Sequence, residues 1–145
     1  GITLKGEFFL VDAINIMLEH GTHFRTQQVE TWLDAGKPEA LLRTNRYLLE
    51  HGHDNSQKAA RRKDLTVIPP VYIDPDVKIE GCVIGPYVSI SSGCELNQSI
   101  VSNSIIEDGA HIRQMILDSS LIGSNAGVYG RAERMNIGDN SWIEI

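Results

Sequence analysis

Asp34 is the side chain in the first third of the chain whose position is most typical of metal chemistry. It lies in the run WLDAG, at the end of a strand-like segment and directly before a helix that Pro38 can begin. Mg²⁺ needs only one or two protein carboxylates, because water and substrate phosphate oxygens complete its coordination. No obvious partner ligand precedes Asp34, and an Asp before Ala-Gly is also a common turn former. From these residues alone the turn is favoured, and a metal site is the alternative.

Other polar side chains carry weaker chemical signals. For Glu7 and Asp12 a surface carboxylate and a helix cap are favoured, and contact with a sugar is the second interpretation. The spacing of four further histidines does not make a metal site: these are His20, His23, His51 and His53. Cys82 and Cys94 lie too far apart for a zinc or thioredoxin-like pair, which indicates core residues in a reducing cytoplasm.

The first 52 residues predict two helices and a strand. Asp12 is a candidate N-cap for the helix AINIMLEHG, and Gly21 is its candidate C′ residue. A strand-like run leads from Phe24 to TWLD, and a second helix extends from Pro38 to Gly52. Because so few elements cannot bury their own apolar faces, this part predicts a small α/β remnant of a larger domain. Residues 53–66 are polar and without periodicity, and they predict a solvated linker.

From residue 67 to residue 145, aliphatic side chains recur every five or six residues. The recurring positions are Ile73, Ile79, Ile84, Ile90, Leu96, Val101, Ile106, Ile112, Leu117, Ile122 and Val128, and after an irregular RAERMN the pattern resumes at Ile137 and Ile143. A second inward position is expected four places after most of them: Val77, Val83, Val88, Cys94, Ile100, Ile105, Ala110, Ile116, Leu121, Ala126, Ala132 and Ser141. Gly, Asn and Asp in the intervening turns tolerate left-handed backbone angles. The spacing predicts a mainly β chain, a left-handed parallel β-helix of about four coils with roughly 18 residues each.

His111, in the run EDGAHIRQ, carries a second possible chemistry. Left-handed β-helices also form acyltransferases, in which a His between coils acts as general base on a sugar amine or hydroxyl. An exposed turn His is the favoured interpretation, since no protruding loop or cofactor groove is evident in the sequence.

The composition limits the classes of partner. The chain has 145 residues, 41% of them hydrophobic and 22% charged, and a formal net charge of −6, values ordinary for a soluble globular protein. An acidic chain lacks the basic face that nucleic acids require, and no apolar run is long enough to span a bilayer. We therefore expect a cytoplasmic protein without a nucleic-acid or membrane partner.

These segments together resemble the C-terminal part of a sugar-phosphate nucleotidyltransferase of the glucose-1-phosphate thymidylyltransferase or mannose-1-phosphate guanylyltransferase type. The runs GEFFLVDAINIMLEHG and VETWLDAGKPEALLRTNRYLLE and the hexapeptide tail carry the resemblance, which covers nearly the whole chain. It implies that Asp34 helps to hold the catalytic Mg²⁺ and that the segment around Glu7 lies near the sugar-phosphate pocket. Val11 departs from the pattern, because many relatives have Thr there. The nucleotide-binding loop and the other metal-binding Asp are expected in an upstream half.

The resemblance implies a parent enzyme that converts a nucleoside triphosphate and a sugar-1-phosphate into a nucleotide-sugar and pyrophosphate. Residues 1–52 would belong to its α/β domain, 53–66 to a linker and 67–145 to the β-helix. The chain itself is expected to be inactive and mainly structural. Two alternatives stay open: a non-catalytic β-helix module for oligomerisation or regulation, and a sugar acyltransferase that uses His111. The terminal run SWIEI, still in phase with the repeat, and apolar patches on the coils predict a homo-oligomer.

Overall fold

The computed structural model describes residues 9–33 and 35–130 and divides the chain into two compact units, residues 1–32 and 33–145. In the first unit, helix α1 spans Leu10–Glu19. Its N-cap is Phe9, so the prediction of Asp12 as the cap is wrong. Asp12 lies in the first turn, where its negative charge interacts favourably with the positive end of the helix dipole. The predicted end is confirmed, because Gly21 has φ +81 and donates to the Leu18 carbonyl in a Schellman motif.

The strand expected between Phe24 and TWLD does not form. Residues 22–33 contain neither helix nor strand. A strand needs a neighbouring strand to accept its backbone hydrogen bonds, and the described residues supply no such partner for this segment.

In the second unit, helix α2 spans Pro38–Leu48 and continues into one π-helical turn, Leu49–His53. It begins at Pro38, whose fixed φ suits the first helical turn. The backbone leaves the helical conformation at His51 and Gly52, and Gly52 can adopt its φ of +101 because it lacks a Cβ atom. Both predicted ends of the second helix are therefore confirmed.

Twelve short strands and one short helix follow in the described part of the chain. They are α3 Ser56–Ala59, β1 Leu65–Val67, β2 Val71–Ile73, β3 Lys78–Glu80, β4 Cys82–Ile84, β5 Val88–Ile90, β6 Glu95–Asn97, β7 Ile100–Ser102, β8 Ile105–Ile106, β9 His111–Arg113, β10 Ile116–Asp118, β11 Leu121–Ile122 and β12 Gly127–Tyr129. Every third strand pairs in parallel, giving three four-stranded sheets: sheet 1 is β1-β4-β7-β10, sheet 2 is β2-β5-β8-β11 and sheet 3 is β3-β6-β9-β12. The predicted parallel β-helix is confirmed, with four coils, β1–β3, β4–β6, β7–β9 and β10–β12. No helix in these described residues is long and apolar enough to cross a membrane.

The interior of the β-helix follows the sequence repeat with one correction. Up to Val128 the recurring aliphatics do face inward, and Ile84, Ile90, Val101 and Ile106 are fully buried. Ile137 and Ile143 lie outside the described residues. The second inward residue, however, lies two places before the next aliphatic, since side chains on a strand alternate. In a six-residue repeat this second inward residue lies four places after the first aliphatic, as predicted. In a five-residue repeat it lies three places after it.

Five-residue repeats therefore turn several expected core residues outward. Their true second inward positions are Cys82, Ser99, Ser104, Met115 and Ser120. Ile100 and Ile116, expected inside, are 47% and 78% exposed on the outer face of sheet 1. The same short repeats make the coils shorter than expected: Val83 pairs with Ile100, 17 residues on, and Ile100 with Ile116, 16 residues on.

Polar side chains close the first edge of sheet 2. The Val71 N–H donates to Asp54 Oδ1 (3.0 Å) and Ser56 Oγ (2.9 Å). Asn55 acts as a substitute strand, because its side-chain amide donates to the Ile73 carbonyl (2.9 Å) and accepts from the Ile73 N–H (3.0 Å). These bonds occupy the backbone groups that a neighbouring strand would otherwise pair.

The segment expected to be a solvated linker is therefore the cap of the first coil. Ala59 is buried in the β-helix core, and Arg62 donates to the carbonyls of Val77 (3.1 Å), Asp74 (3.3 Å) and Pro75 (2.6 Å). Its RRK run is thus not solvated throughout, because the Arg62 guanidinium satisfies carbonyls at a turn. The domain boundaries given above stay a prediction.

Candidate functional sites

The two site residues predicted from the sequence lie outside the described residues. These are Glu7, predicted near a sugar, and Asp34, predicted to bind a metal. Among residues 9–33 and 35–130, no group of three or more His, Cys, Asp or Glu side chains could hold a metal ion.

Helix α2, which begins four residues after Asp34, docks on the β-helix through a buried polar contact. Asn45 is 9% exposed, donates from Nδ2 to the Tyr87 carbonyl (3.2 Å) and accepts from Ser89 Oγ (2.5 Å). The Tyr87 hydroxyl donates to Glu50 Oε1 (3.0 Å) near the end of the helix. These bonds fix α2 along the second coil, since a buried polar group loses its full hydrogen-bonding energy if its partner moves away.

Sequence reasoning missed Asn45, although the sequence carries a signal for it. Leu41, Leu42, Leu48 and Leu49 form the apolar stripe of α2, and Asn45 lies inside that stripe. A polar side chain on an apolar helix face indicates a specific polar partner, because burial without one is costly. The sequence could not say that the partner is Ser89, 44 residues further on.

The outer face of sheet 3 is a groove of about 780 Å³ that contains His111. It is lined by Lys78, Ile79, Glu80, Glu95, Leu96, Asn97, His111, Ile112, Arg113 and Tyr129. The register places Lys78, Glu95 and His111 in one row across three coils. This corrects two expectations, because His111 begins strand β9 instead of lying in a turn, and it does face a groove.

Glu95 joins the two basic side chains of that row. Lys78 Nζ lies 2.6 Å from Glu95 Oε1, and His111 Nδ1 lies 3.5 Å from Glu95 Oε2. The hydrogen bond and charge of Glu95 raise the pKa of Lys78, while Lys78, followed by His111, lowers the pKa of Glu95. A carboxylate beside Nδ1 is one of the contacts that can orient a histidine for proton transfer.

The remaining histidines and the cysteines form no site in the described residues. His51 stacks on Tyr47, with ring centroids 3.8 Å apart, and His20 is the C-cap of α1. Cys82 and Cys94 are free and buried, as the sequence predicts, and burial raises the pKa of both thiols. A thiol held in its neutral form is a poor nucleophile and metal ligand.

Comparison with known proteins gives a consistent family. The chain is 25% identical to the glucose-1-phosphate thymidylyltransferase of Streptomyces griseus over 97% of its own length and 46% of the relative. It is 28% identical to the low-salt glycan biosynthesis nucleotidyltransferase Agl11 of Haloferax volcanii, over 97% of the chain and 47% of the relative. The bifunctional protein GlmU of Exiguobacterium is 32% identical over 86% of the chain and 30% of its own length.

The chain is a relative of the sugar-phosphate nucleotidyltransferases. The predicted resemblance is thereby confirmed, and the match falls in the C-terminal region of these longer proteins. No protein-family model matches the chain. It spans less than half the length of the curated relatives named above.

Proposed function

We propose that the chain is the C-terminal part of a nucleotide-sugar pyrophosphorylase. In this reaction a phosphate oxygen of a sugar-1-phosphate attacks the α-phosphorus of a nucleoside triphosphate. A new P–O bond forms, the bond to the β-phosphate bridging oxygen breaks, and pyrophosphate leaves. The observation that carries the proposal is the match to a glucose-1-phosphate thymidylyltransferase across 97% of the chain, which includes both α1 and the β-helix.

Within this proposal Asp34 is one ligand of a divalent metal, and Glu7 lies close to the sugar. A single carboxylate suits Mg²⁺, because this ion accepts one or two protein oxygens together with water and phosphate oxygens. When bound, Mg²⁺ supplies positive charge that stabilises the phosphate oxygens of the transition state. The other metal-binding Asp is expected in the upstream half of the enzyme that the resemblance implies.

The proposal is tested with the natural-length protein that contains this chain. Pyrophosphate release is measured with each nucleoside triphosphate paired with glucose-1-phosphate or mannose-1-phosphate, and the 145-residue chain is the matched control. We expect release from the natural-length protein with at least one pair and none from the chain alone. Absence of release with every pair contradicts the proposed reaction, and release by the chain alone contradicts its predicted inactivity.

The metal role of Asp34 has its own test in the natural-length protein. Asp34→Ala should lower turnover and raise the Mg²⁺ concentration for half-maximal activity by about tenfold or more, while thermal unfolding changes little. Mn²⁺ binding followed by electron paramagnetic resonance provides a readout that does not depend on activity. Unchanged Mn²⁺ affinity and unchanged turnover would exclude the metal role.

A second candidate function, sugar acyl transfer, is favoured by the groove around His111. His111 Nε2 would accept a proton from a sugar amine or hydroxyl as that group attacks the thioester carbonyl of an acyl-coenzyme A. The new C–N or C–O bond forms, the C–S bond breaks, and the coenzyme thiol takes up the proton. The contact of His111 with Glu95 at 3.5 Å supports this assignment.

Acetyl-coenzyme A binding by the chain distinguishes this candidate from the first. Calorimetry should show binding that His111→Gln weakens, with His23→Gln as control, since His23 lies in the other unit. Absence of binding excludes acyl transfer. If neither reaction is found, the non-catalytic module is the remaining function.

Homo-oligomerisation through the β-helix and a cytoplasmic location belong to the same proposal. The exposed Ile100 and Ile116 give sheet 1 an apolar outer face, while the buried free cysteines suit a reducing compartment. The terminal run SWIEI lies outside the described residues. Sedimentation equilibrium over a hundredfold concentration range should show a dimer or trimer, and a single 16.1 kDa species throughout would refute the oligomer.

A further inference from the structure

A crevice of about 380 Å³ separates the first half of α2 from the corners that join sheet 1 to sheet 2. Its volume lies within the range of small-molecule sites. Pro38, Glu39, Leu42, Arg43 and Arg46 line it on the helix side, and Asn103 and Ser119 line it on the side of the third and fourth coils.

The two arginines of the crevice share one face of α2, because they are three residues apart. Arg46 is held in place: its Nη2 donates to Asn103 Oδ1 (2.9 Å), and its guanidinium carbon lies 4.5 Å from the centre of the Tyr87 ring. A guanidinium has five N–H donors, so this one keeps donors for a further acceptor. Its position is fixed before any ligand arrives, which lowers the entropic cost of binding.

Neither arginine forms an ion pair with a carboxylate of the described residues. The side chain of Arg43 also has no hydrogen-bonding partner within those residues, and it is exposed. Glu39 is the single acidic side chain of the lining, so the lining carries two positive charges against one negative charge. This local excess of positive charge occurs in a chain whose formal net charge is −6.

The polar side chains opposite the arginines form a connected row. Asn103 Nδ2 donates to Ser119 Oγ (2.9 Å), and Ser119 Oγ donates to Asp118 Oδ2 (2.8 Å). Hydrogen bonds from Ser102 and Ser119, with a smaller effect of Arg46, hold the pKa of Asp118 below its ordinary value. Asp118 thus accepts hydrogen bonds from two hydroxyls and interacts electrostatically with Arg46, whereas Arg43 forms no ion pair with it.

We propose that this crevice binds a small phosphorylated metabolite whose phosphate group lies between Arg43 and Arg46. Two guanidinium groups match the two negative charges and the several acceptor oxygens of a phosphate ester. Ser119 and Asn103 provide hydroxyl and amide groups for the remainder of the molecule. The site does not depend on the proposed function, because none of its residues is assigned to that reaction.

The test is a nuclear magnetic resonance titration of the ¹⁵N-labelled 145-residue chain. The probes are inorganic phosphate, glucose-1-phosphate and adenosine monophosphate, with glucose and with sodium chloride at equal ionic strength as controls. We expect saturable shifts at the side-chain Nε–H signals of Arg43 and Arg46 and at the amides of Asn103 and Ser119. Tighter binding of an ester than of inorganic phosphate identifies a metabolite site, and equal affinity identifies a site for the phosphate group alone and overturns the metabolite proposal.

Three variants make the result specific. Arg43→Gln should weaken binding at least tenfold, because it removes one of the two guanidinium groups that hold the phosphate. This variant should leave the docking of α2 intact, since Arg43 has no part in it. Arg46→Gln should weaken binding similarly, and Arg61→Gln, which removes an exposed arginine away from both the crevice and the groove, should leave the affinity within twofold. Thermal unfolding of each variant checks the fold. Binding by Arg43→Gln as tight as that of the unaltered chain, or equal shifts with sodium chloride, overturns the proposal.

Discussion

Replacement of Asn45 by alanine should release α2 from the β-helix. Asn45 is the buried polar group of the contact, with Tyr87 and Ser89 as its partners on the second coil. Alanine has a higher helix propensity than asparagine, so the change removes the two hydrogen bonds without an intrinsic penalty on the helix. Any loss of stability then reports the docking contact and the small cavity that is left.

The size of this loss follows from the two partners that lose their bonds. A buried polar group left without a partner costs about 1–3 kcal/mol. The Tyr87 carbonyl bond is long, at 3.2 Å, and Ser89 is half-buried and can turn toward water. Both facts place the cost of each unpaired partner at the lower end of this range, so we expect a total loss of about 2 kcal/mol in the free energy of unfolding.

A double-mutant cycle separates this contact from a general loss of packing. Urea unfolding of the chain is measured for Asn45→Ala, Ser89→Ala and the pair. Because each single change breaks the same bond, the pair should cost about 1 kcal/mol less than the sum of the two. Hydrogen exchange of the α2 amides should accelerate in Asn45→Ala, since the helix is released before the coils unfold.

Asn97→Ala is the matched control. Asn97 is also a hydrogen-bonded asparagine, with Glu80 at 3.0 Å, but this contact is exposed on sheet 3. Its replacement should cost less than about 0.5 kcal/mol. The reasoning is refuted if Asn45→Ala costs no more than this control, or if the two effects in the cycle simply add.

Three further predictions concern stability and are measured by thermal or urea unfolding of the chain. Ile106→Ala should lower the free energy of unfolding by about 3–4 kcal/mol, because Ile106 is fully buried. Ile116→Ala should lower it by less than about 0.5 kcal/mol, because Ile116 is 78% exposed. Equal losses would contradict the outward position of Ile116. Gly85→Ala should lower the free energy of unfolding by roughly 3 kcal/mol or more, because its Cβ atom would overlap the Ile68 carbonyl oxygen and φ is +114. Gly123→Ala, where the Cβ atom would meet open space, should be nearly neutral. Burial opposes ionisation of Asp54, but hydrogen bonds from Ser56 and Val71 outweigh this effect and lower the pKa of Asp54. The ionised Asp54 therefore stabilises the folded chain above about pH 4, and this stabilisation is lost as the pH falls through the folded-state pKa. Asp54→Asn should therefore cost roughly 0.5 kcal/mol at pH 7, and a difference that persists undiminished at the lowest pH would contradict this.

The repeat shows how far a periodic sequence determines a fold. Aliphatic residues at five- or six-residue spacing can be buried together only if each repeat contributes one strand of a coil, so the β-helix follows from spacing alone. The direction of the intervening side chains does not, because it depends on whether a repeat has five or six residues. A one-residue difference moves a side chain to the opposite face, which explains the outward positions of Ile100 and Ile116.

The ends of the second helix were also determined by local chemistry. Pro38 and Gly52 act within their own turn, through a fixed φ and through the absence of Cβ respectively. The strand expected near Phe24 failed for the opposite reason, since a strand is completed by a neighbour that local sequence cannot supply.

Sequence alone determined the coiled architecture, the C-terminal end of α1, the start of α2, the buried cysteines and the relationship to nucleotidyltransferases. Tertiary structure decided which residues meet across long separations: Asn45 with Ser89, Asp54 with Val71, and His111 with Glu95. The physical reason is that repeat spacing and caps are local properties of the backbone. A buried polar contact depends instead on which coil each side chain reaches, and that is set only when the coils stack and α2 lies across them.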